Sequence, residues 1–136
     1  MTVKEFMAAY YRVTVWPEDV LWHRDDKILS IIRPRIVCND GFSISVQGSA
    51  NHYCSPRENL IDKAYAEVEL GFPSVADDLI AYYAEDDEDL TDTVYGLVPI
   101  DTVEELIEKH GGIKGYDEEQ AERLKKGCDM YSECSW

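Results

Sequence analysis

The segment RPRIVCNDGFSISVQGS, residues 33–49, constrains the fold of this chain more than any other stretch. Two runs rich in β-branched residues flank Asn39-Asp40-Gly41, and a turn of this kind between two such runs predicts a β-hairpin. The second run alternates apolar and polar side chains, which predicts a strand with one buried face. The fold is therefore expected to contain an antiparallel sheet.

Helical patterns lie towards both ends of the chain. Thr2 and Glu5 have the spacing of a capping box, and the apolar residues that follow predict a helix over 3–11. The strongest helical pattern is IDTVEELIEKHGG, residues 100–112. Asp101 is its expected N-cap, with a glutamate three residues later, and the two glycines are expected to end it.

Strands in the middle and helices at the ends predict one α+β domain, with a small antiparallel sheet and helices packed on one side. We assign residues 1–30 to an N-terminal helical segment that includes a short helix after Pro17. Residues 31–100 are assigned to the sheet, residues 101–126 to C-terminal helices and residues 127–136 to a tail.

The net charge of −15 is confined to one half of the chain. Residues 1–66 contain eight basic and eight acidic residues, whereas residues 67–136 contain five basic and twenty acidic residues. An acidic surface repels nucleic acid, so we expect no direct binding of nucleic acid. The neutral half keeps basic residues that could meet a small anion, namely Arg24, Arg33, Arg35, Arg57 and Lys63.

The cysteines Cys38, Cys54, Cys128 and Cys134 have no CxxC spacing, so we expect free thiols in a reducing compartment. A Cys128–Cys134 disulfide would require secretion. No set of four ligands has zinc-site spacing, and no metal or cofactor is expected. His52 is too near Cys54 along the chain for a nucleophilic pair, and no other constellation indicates catalysis. The protein is therefore expected not to be an enzyme.

The stretch SVQGSANHYCSPR lacks the glycine patterns of nucleotide-binding loops. It is nevertheless rich in groups that bind phosphates and hydroxyls, and nearby tyrosines could stack on a base. An ordered loop that satisfies its own backbone is the other interpretation. The candidate ligand-binding residues are Arg57, His52, Ser49, Gln47, Ser55, Tyr53, Arg35 and Tyr83.

The acidic stretch AEDDEDLTD, residues 84–92, does not match a calcium loop. An EF-hand needs glycine at its sixth position and glutamate at its twelfth, and counted from Asp87 these positions hold Asp92 and Val98. The stretch is either a solvated acidic turn or an imitation of a nucleic-acid backbone on a basic partner surface. The carboxylates of the second interpretation are Asp86, Asp87, Glu88 and Asp89.

Three segments within residues 33–113 resemble a family of small proteins encoded by phages and prophages of Gram-positive bacteria. They are GFSISVQGSANHYCSPREN, VELGFPS and YAEDDEDLTDTVYGLVPIDTVEELIEKHGG. Small acidic proteins of this kind are often counter-defence proteins. One version resembles the anti-Thoeris sponge, which oligomerises and sequesters cyclic nucleotide signals without cleaving them. The other resembles an anti-CRISPR protein, which blocks a nuclease complex.

The resemblance implies a protein of the host bacterial cytoplasm that binds a cyclic ADP-ribose isomer or a cyclic oligonucleotide as a homo-oligomer. The alternative that it implies is an inhibitor of a bacterial CRISPR nuclease complex. No apolar run approaches the length of about 20 residues that a membrane span needs, and the first residues lack a cleavage signature. We therefore expect neither a membrane partner nor a signal peptide.

Overall fold

The computed structural model describes residues 1–17, 19, 28–61, 63–126 and 132–134. Its helices and strands form an α+β fold, as predicted. In chain order they are α1 (Val3–Ala9), β1 (Arg12–Val15), β2 (Ile28–Ile32), β3 (Ile36–Cys38), β4 (Ser43–Gln47), β5 (Glu67–Gly71), a 3-10 turn (Ala81–Tyr83), β6 (Val94–Pro99), α2 (Ile100–Lys109), β7 (Ile113–Tyr116), α3 (Glu118–Lys126) and β8 (Ser132–Cys134).

The main sheet has five strands in the order β6-β5-β4-β3-β7, and every neighbouring pair is antiparallel. The predicted hairpin is confirmed, because β3 pairs with β4 through Ile36 and Ile44. The N–H of Gly41 donates to the carbonyl of Cys38 at 3.0 Å. Gly41 has φ of 94°, a left-handed conformation that glycine adopts without steric cost.

A second sheet, in the order β2-β1-β8, corrects the assignments made at both ends of the chain. A helical segment through residue 30 is wrong, because α1 ends at Ala9 and β1 and β2 follow. The β-branched residues of β1 favour the extended backbone. Part of the predicted tail also forms β8, which pairs with β1. The predicted helix after Pro17 and Cys128 lie outside the described residues.

The predicted block of C-terminal helices is interrupted by a strand. β7 lies between α2 and α3 and pairs with β3 at one edge of the main sheet. Gly111 and Gly112, with φ of 90° and 84°, end α2 and turn the chain into this strand. The two glycines therefore end the helix, as predicted from the sequence.

One face of the main sheet packs against α1 and α2 to form the core. The capping box of α1 is confirmed, since Thr2 and Glu5 exchange both of its hydrogen bonds. Asp101 is not the N-cap of α2, because the helix already begins at Ile100 after Pro99. The carboxylate of Glu104 instead accepts the N–H of Val3 at 2.6 Å, so it ties α2 to the start of α1.

The core combines residues of both helices with the inward-facing residues of the sheet. Its fully buried aliphatic and aromatic members, each at most 1 % exposed, are Val3, Phe6, Ile36, Ile44, Val46, Val68, Leu70, Ile80, Tyr95, Val98, Val103 and Leu106.

Gly48, directly after β4, lies beneath the ring of Tyr65. A Cβ atom at this position would lie 2.8 Å from Cε2 of Tyr65, too close for a buried ring to yield cheaply. We therefore predict that Gly48→Ala lowers the free energy of unfolding by about 1–3 kcal/mol, measured by urea denaturation. Gly115→Ala is the matched control, because no atom lies within 4 Å of its added Cβ. Equal stability of the two variants would contradict the packing argument.

Candidate functional site

Arg33 holds in place the loop that the sequence singled out. The side chain is 1 % exposed. Its Nε donates to the carbonyl of Met7 at 2.9 Å, one amino group donates to Gly48 at 2.8 Å, and the other donates to Leu60 at 3.2 Å. Burial lowers the pKa of Arg33. The guanidinium thus joins α1 to both ends of the loop formed by residues 48–60.

Two of the predicted ligand-binding residues point inwards and are bonded within the protein. Oε1 of Gln47 accepts the N–H of Arg33 at 2.9 Å, and its Nε2 donates to the carbonyl of Arg33 at 2.8 Å. Ser49 has no exposed surface, and its Oγ accepts a hydrogen bond from the N–H of Asn51 at 3.0 Å. These polar groups satisfy local backbone, which matches the second interpretation of the loop given above.

Ser49, His52 and Glu69 form a chain of polar groups with the order of a hydrolase triad, but the serine is buried. Oγ of Ser49 lies 2.6 Å from Nδ1 of His52, and Nε2 of His52 lies 3.9 Å from Oε2 of Glu69. Burial lowers the pKa of His52 and raises that of Glu69. The lowered pKa favours a neutral imidazole, which shares one hydrogen bond with Ser49. A buried hydroxyl cannot meet a substrate, so the chain of groups orients the loop.

Tyr53 and Arg57 form a surface platform at the tip of the same loop. The guanidinium carbon of Arg57 lies 5.2 Å from the ring centroid of Tyr53, within the range of a cation–π contact. Nε of Arg57 donates to the carbonyl of Ala50 at 3.1 Å. Tyr53 is 48 % exposed. Its Cβ would lie 3.3 Å from a Cβ atom added to Gly96, so a residue larger than glycine at position 96 would crowd Tyr53. We call Tyr53 and Arg57 the platform.

His52, next to Tyr53 in the chain, completes the group that the structure does bring together. Burial and the charges of Arg33 and Arg57 lower its pKa. Of the other predicted residues, Arg35 and Tyr83 lie outside the loop of residues 48–60, and Ser55 lies within it. Arg35 bonds the hydroxyl and carbonyl of Ser43 and the carbonyl of Phe72. Ser55 forms a β-bridge with Glu67. Tyr83 packs against the core. The predicted site therefore reduces to the platform and His52.

Cys54 lies inside the loop as a small buried side chain. Its Sγ donates to the carbonyl of Ser49 at 3.1 Å, and burial raises the pKa of the thiol. Burial also raises the pKa of Cys38 to about 11. Thiols of this kind are poor nucleophiles. Within the described residues, no group of three or more His, Cys, Asp or Glu side chains could hold a metal ion.

A cluster around His110 was not predicted from the sequence. Its Nδ1 lies 2.7 Å from Oδ2 of Asp40, and its Nε2 lies 3.1 Å from Oδ2 of Asp77. Nζ of Lys109 lies 3.0 Å from the same Asp77 oxygen. The imidazole ring of His110 stacks on the ring of Phe42, with 3.9 Å between the two ring centroids. The ring of His110 therefore lies between two carboxylates. No spacing could have revealed these groups, because they come from distant parts of the chain.

The acidic segment from Glu85 to Asp89 is exposed throughout. Two of its carboxylates also shape the backbone: Oδ1 of Asp86 accepts the N–H of Glu88, and Oδ1 of Asp89 accepts the N–H and hydroxyl of Thr91. The segment therefore presents its charges on a turn with its own hydrogen bonds. We call it the acidic turn.

Comparisons with protein-family models, curated proteins and solved structures found no match for this chain. None of the helices in the described residues combines the length and apolar character that a membrane crossing requires.

The His110 cluster predicts acid sensitivity. Burial raises the pKa of Asp77, but hydrogen bonds from Leu79, Lys109 and His110 outweigh that effect and lower it. A depressed folded pKa stabilises the protein above the unfolded value of about 3.9, and this stabilisation is lost as pH falls through the folded pKa. We expect Asp77→Asn to cost about 1–3 kcal/mol at pH 7.

Urea denaturation at a series of pH values tests this expectation, with the exposed neighbour Asp78 as the control position. The stability difference between Asp77→Asn and the parent should shrink on acidification, since protonated Asp77 has already lost its ion pairs. Asp78→Asn should behave like the parent protein throughout. A difference for Asp77→Asn that stays constant with pH would refute the role of its charge.

Proposed function

We propose that this protein is a non-catalytic phage counter-defence protein that sequesters a cyclic nucleotide signal in the host cytoplasm. The observation that carries the proposal is the platform, in which the exposed side chain of Arg57 lies within cation–π range of the exposed ring of Tyr53. Arginine binds phosphate through parallel hydrogen bonds. Guanidinium and aromatic planes both stack on nucleobases. The platform thus combines the two contacts that a nucleotide needs.

The platform has the right chemistry for capture and none for cleavage. No carboxylate of the described residues forms an ion pair with Arg57. The histidine beside it has a lowered pKa and already contacts Ser49 and Glu69. A ligand would therefore meet a cation and a flat surface, without a nucleophile. This combination supports binding without turnover.

The proposed active form is a homo-oligomer. A platform on one protomer is shallow, whereas small-molecule sites enclose most of the ligand surface. Two platforms facing each other across a two-fold axis would contact both halves of a cyclic dinucleotide, whose own two-fold symmetry matches that of an isologous dimer. Oligomer formation would in this way supply the enclosure that one chain lacks.

Calorimetry with cyclic ADP-ribose isomers and cyclic di- and trinucleotides tests the proposal. We expect micromolar or tighter binding of at least one compound, and a loss of about tenfold or more in Arg57→Gln, which removes a charge-assisted contact. Arg123→Gln is the control, because it removes an exposed arginine of α3. Absence of binding across the set would end the proposal. Equal affinity of the Arg57→Gln and Arg123→Gln variants would show that the ligand binds at a site other than the platform.

A second candidate function is inhibition of a bacterial CRISPR nuclease complex by the acidic turn, which would imitate a nucleic-acid backbone. The observation that favours it is the exposure of every carboxylate from Glu85 to Asp89. Among the described residues, the Asp87 and Glu88 side chains accept no backbone hydrogen bond, unlike those of Asp86 and Asp89. A variant that neutralises these two carboxylates therefore tests the role of their charge without disturbing the turn.

We expect the double variant Asp87→Asn/Glu88→Gln to weaken inhibition of the nuclease complex and to reduce its dependence on salt, as a charge-driven contact requires. Neutralising all four carboxylates from Asp86 to Asp89 should abolish inhibition. Glu118→Gln/Glu119→Gln on α3 is the charge-matched control. Inhibition that survives the fourfold change would exclude the acidic turn as the inhibitory surface.

A further inference from the structure

Leu97 adopts a backbone conformation that leucine rarely takes. Its φ is 53°, in the left-handed region where the Cβ atom of an L-residue crowds the following carbonyl oxygen. Gly96 and Leu97 lie opposite the single residue Glu69 of β5, because the register of β5 and β6 shifts at this point. Two residues that oppose one residue of the neighbouring strand form a β-bulge.

This bulge lies directly against the platform. The N–H of Leu97 donates to the carbonyl of Tyr53 at 3.0 Å. The short distance between Tyr53 and a Cβ atom added to Gly96 shows that Tyr53 also lies against the glycine. Leu97 is 47 % exposed, nearly the same fraction as Tyr53. The bulge therefore presents a second apolar side chain next to the platform.

The backbone of the bulge does not explain why residue 97 is a leucine. The hydrogen bond to Tyr53 uses the backbone N–H, and glycine at position 97 would form it without steric cost. Leucine at this position adds strain and leaves about half of an apolar side chain in water. Residues held in sparsely populated conformations cluster at ligand-binding positions. The side chain of Leu97 is therefore a candidate ligand contact.

Phe72 provides a matched comparison within the same protein. It is the other non-glycine residue with a left-handed backbone in the described part of the chain, with φ of 51°, and it is 45 % exposed. Its N–H donates to the carbonyl of Thr93 at 3.0 Å, and its carbonyl accepts a hydrogen bond from Arg35. Phe72 thus resembles Leu97 in conformation and exposure, but its hydrogen-bond partners do not belong to the platform.

We propose that Leu97 extends the platform and that the ligand captured there carries a purine base. This inference rests on the proposed function. Arg57 contacts a phosphate, the ring of Tyr53 stacks on the base, and Leu97 packs against the part of the base that extends past the tyrosine ring. A purine has two fused rings, so it buries more apolar surface on an extended platform than a pyrimidine does.

Calorimetry on the full-length protein tests the proposal. The purine probes are the cyclic ADP-ribose isomers, cyclic di-AMP and cyclic di-GMP, and the pyrimidine probe is cyclic di-UMP. We expect at least one purine probe to bind about fivefold or more tightly than cyclic di-UMP. Leu97→Gly should weaken purine binding by about fivefold, whereas Leu97→Met keeps an apolar side chain and should retain it. Phe72→Gly should leave purine binding unchanged.

Urea denaturation of the same variants separates binding from folding. The midpoint for Leu97→Gly should stay at or above that of the parent protein, because glycine relieves the strained φ. A lower midpoint would show that the side chain serves the fold and would overturn the inference.

Failure of Leu97 and failure of the platform give different results. If Leu97→Gly binds like the parent while Arg57→Gln does not, the role of Leu97 is refuted and the proposed function stands. Equal affinity for cyclic di-UMP and the purine probes would refute the preference for a purine. No binding of any probe by the parent protein would end the proposed function and this inference with it.

Discussion

The buried guanidinium of Arg33 is the contact on which the arrangement of the loop of residues 48–60 depends. It joins α1, the residue after β4 and the far end of the loop through three carbonyl groups. A planar cation with donors in a fixed fork can hold three separate segments at once, which an ammonium group cannot do with the same geometry. The loop of residues 48–60 consequently has an inner side and an outer side.

The two sides of the loop carry different chemistry. Gln47, Ser49 and Cys54 face inwards and bond to nearby backbone, so the inner side stabilises the loop. Tyr53 and Arg57 face solvent as the platform. The polar residues of this segment therefore have two separate roles. Their number in the sequence overstates the number of groups that a ligand could contact.

Local patterns predicted the elements that depend on short-range contacts, but they missed β7 and β8. The hairpin, the capping box of Thr2 and Glu5, and the glycines that end α2 depend on contacts within a few residues, so spacing alone reveals them. The predicted site succeeded only in part, because the direction in which a loop side chain points depends on distant contacts. The same limit explains why Glu104, expected at the start of its own helix, instead bonds to α1.

The sequence by itself determined the α+β class, the central hairpin and the uneven charge, since each follows from alternation, turn chemistry or composition. Only the tertiary structure decided that Arg33 would be an anchor, that Arg35 would lie away from Arg57, and that His110 would bridge two aspartates. These outcomes join residues far apart in the chain. A buried cation or imidazole takes the partners that folding brings within hydrogen-bond distance, and those partners have no signature in the local sequence.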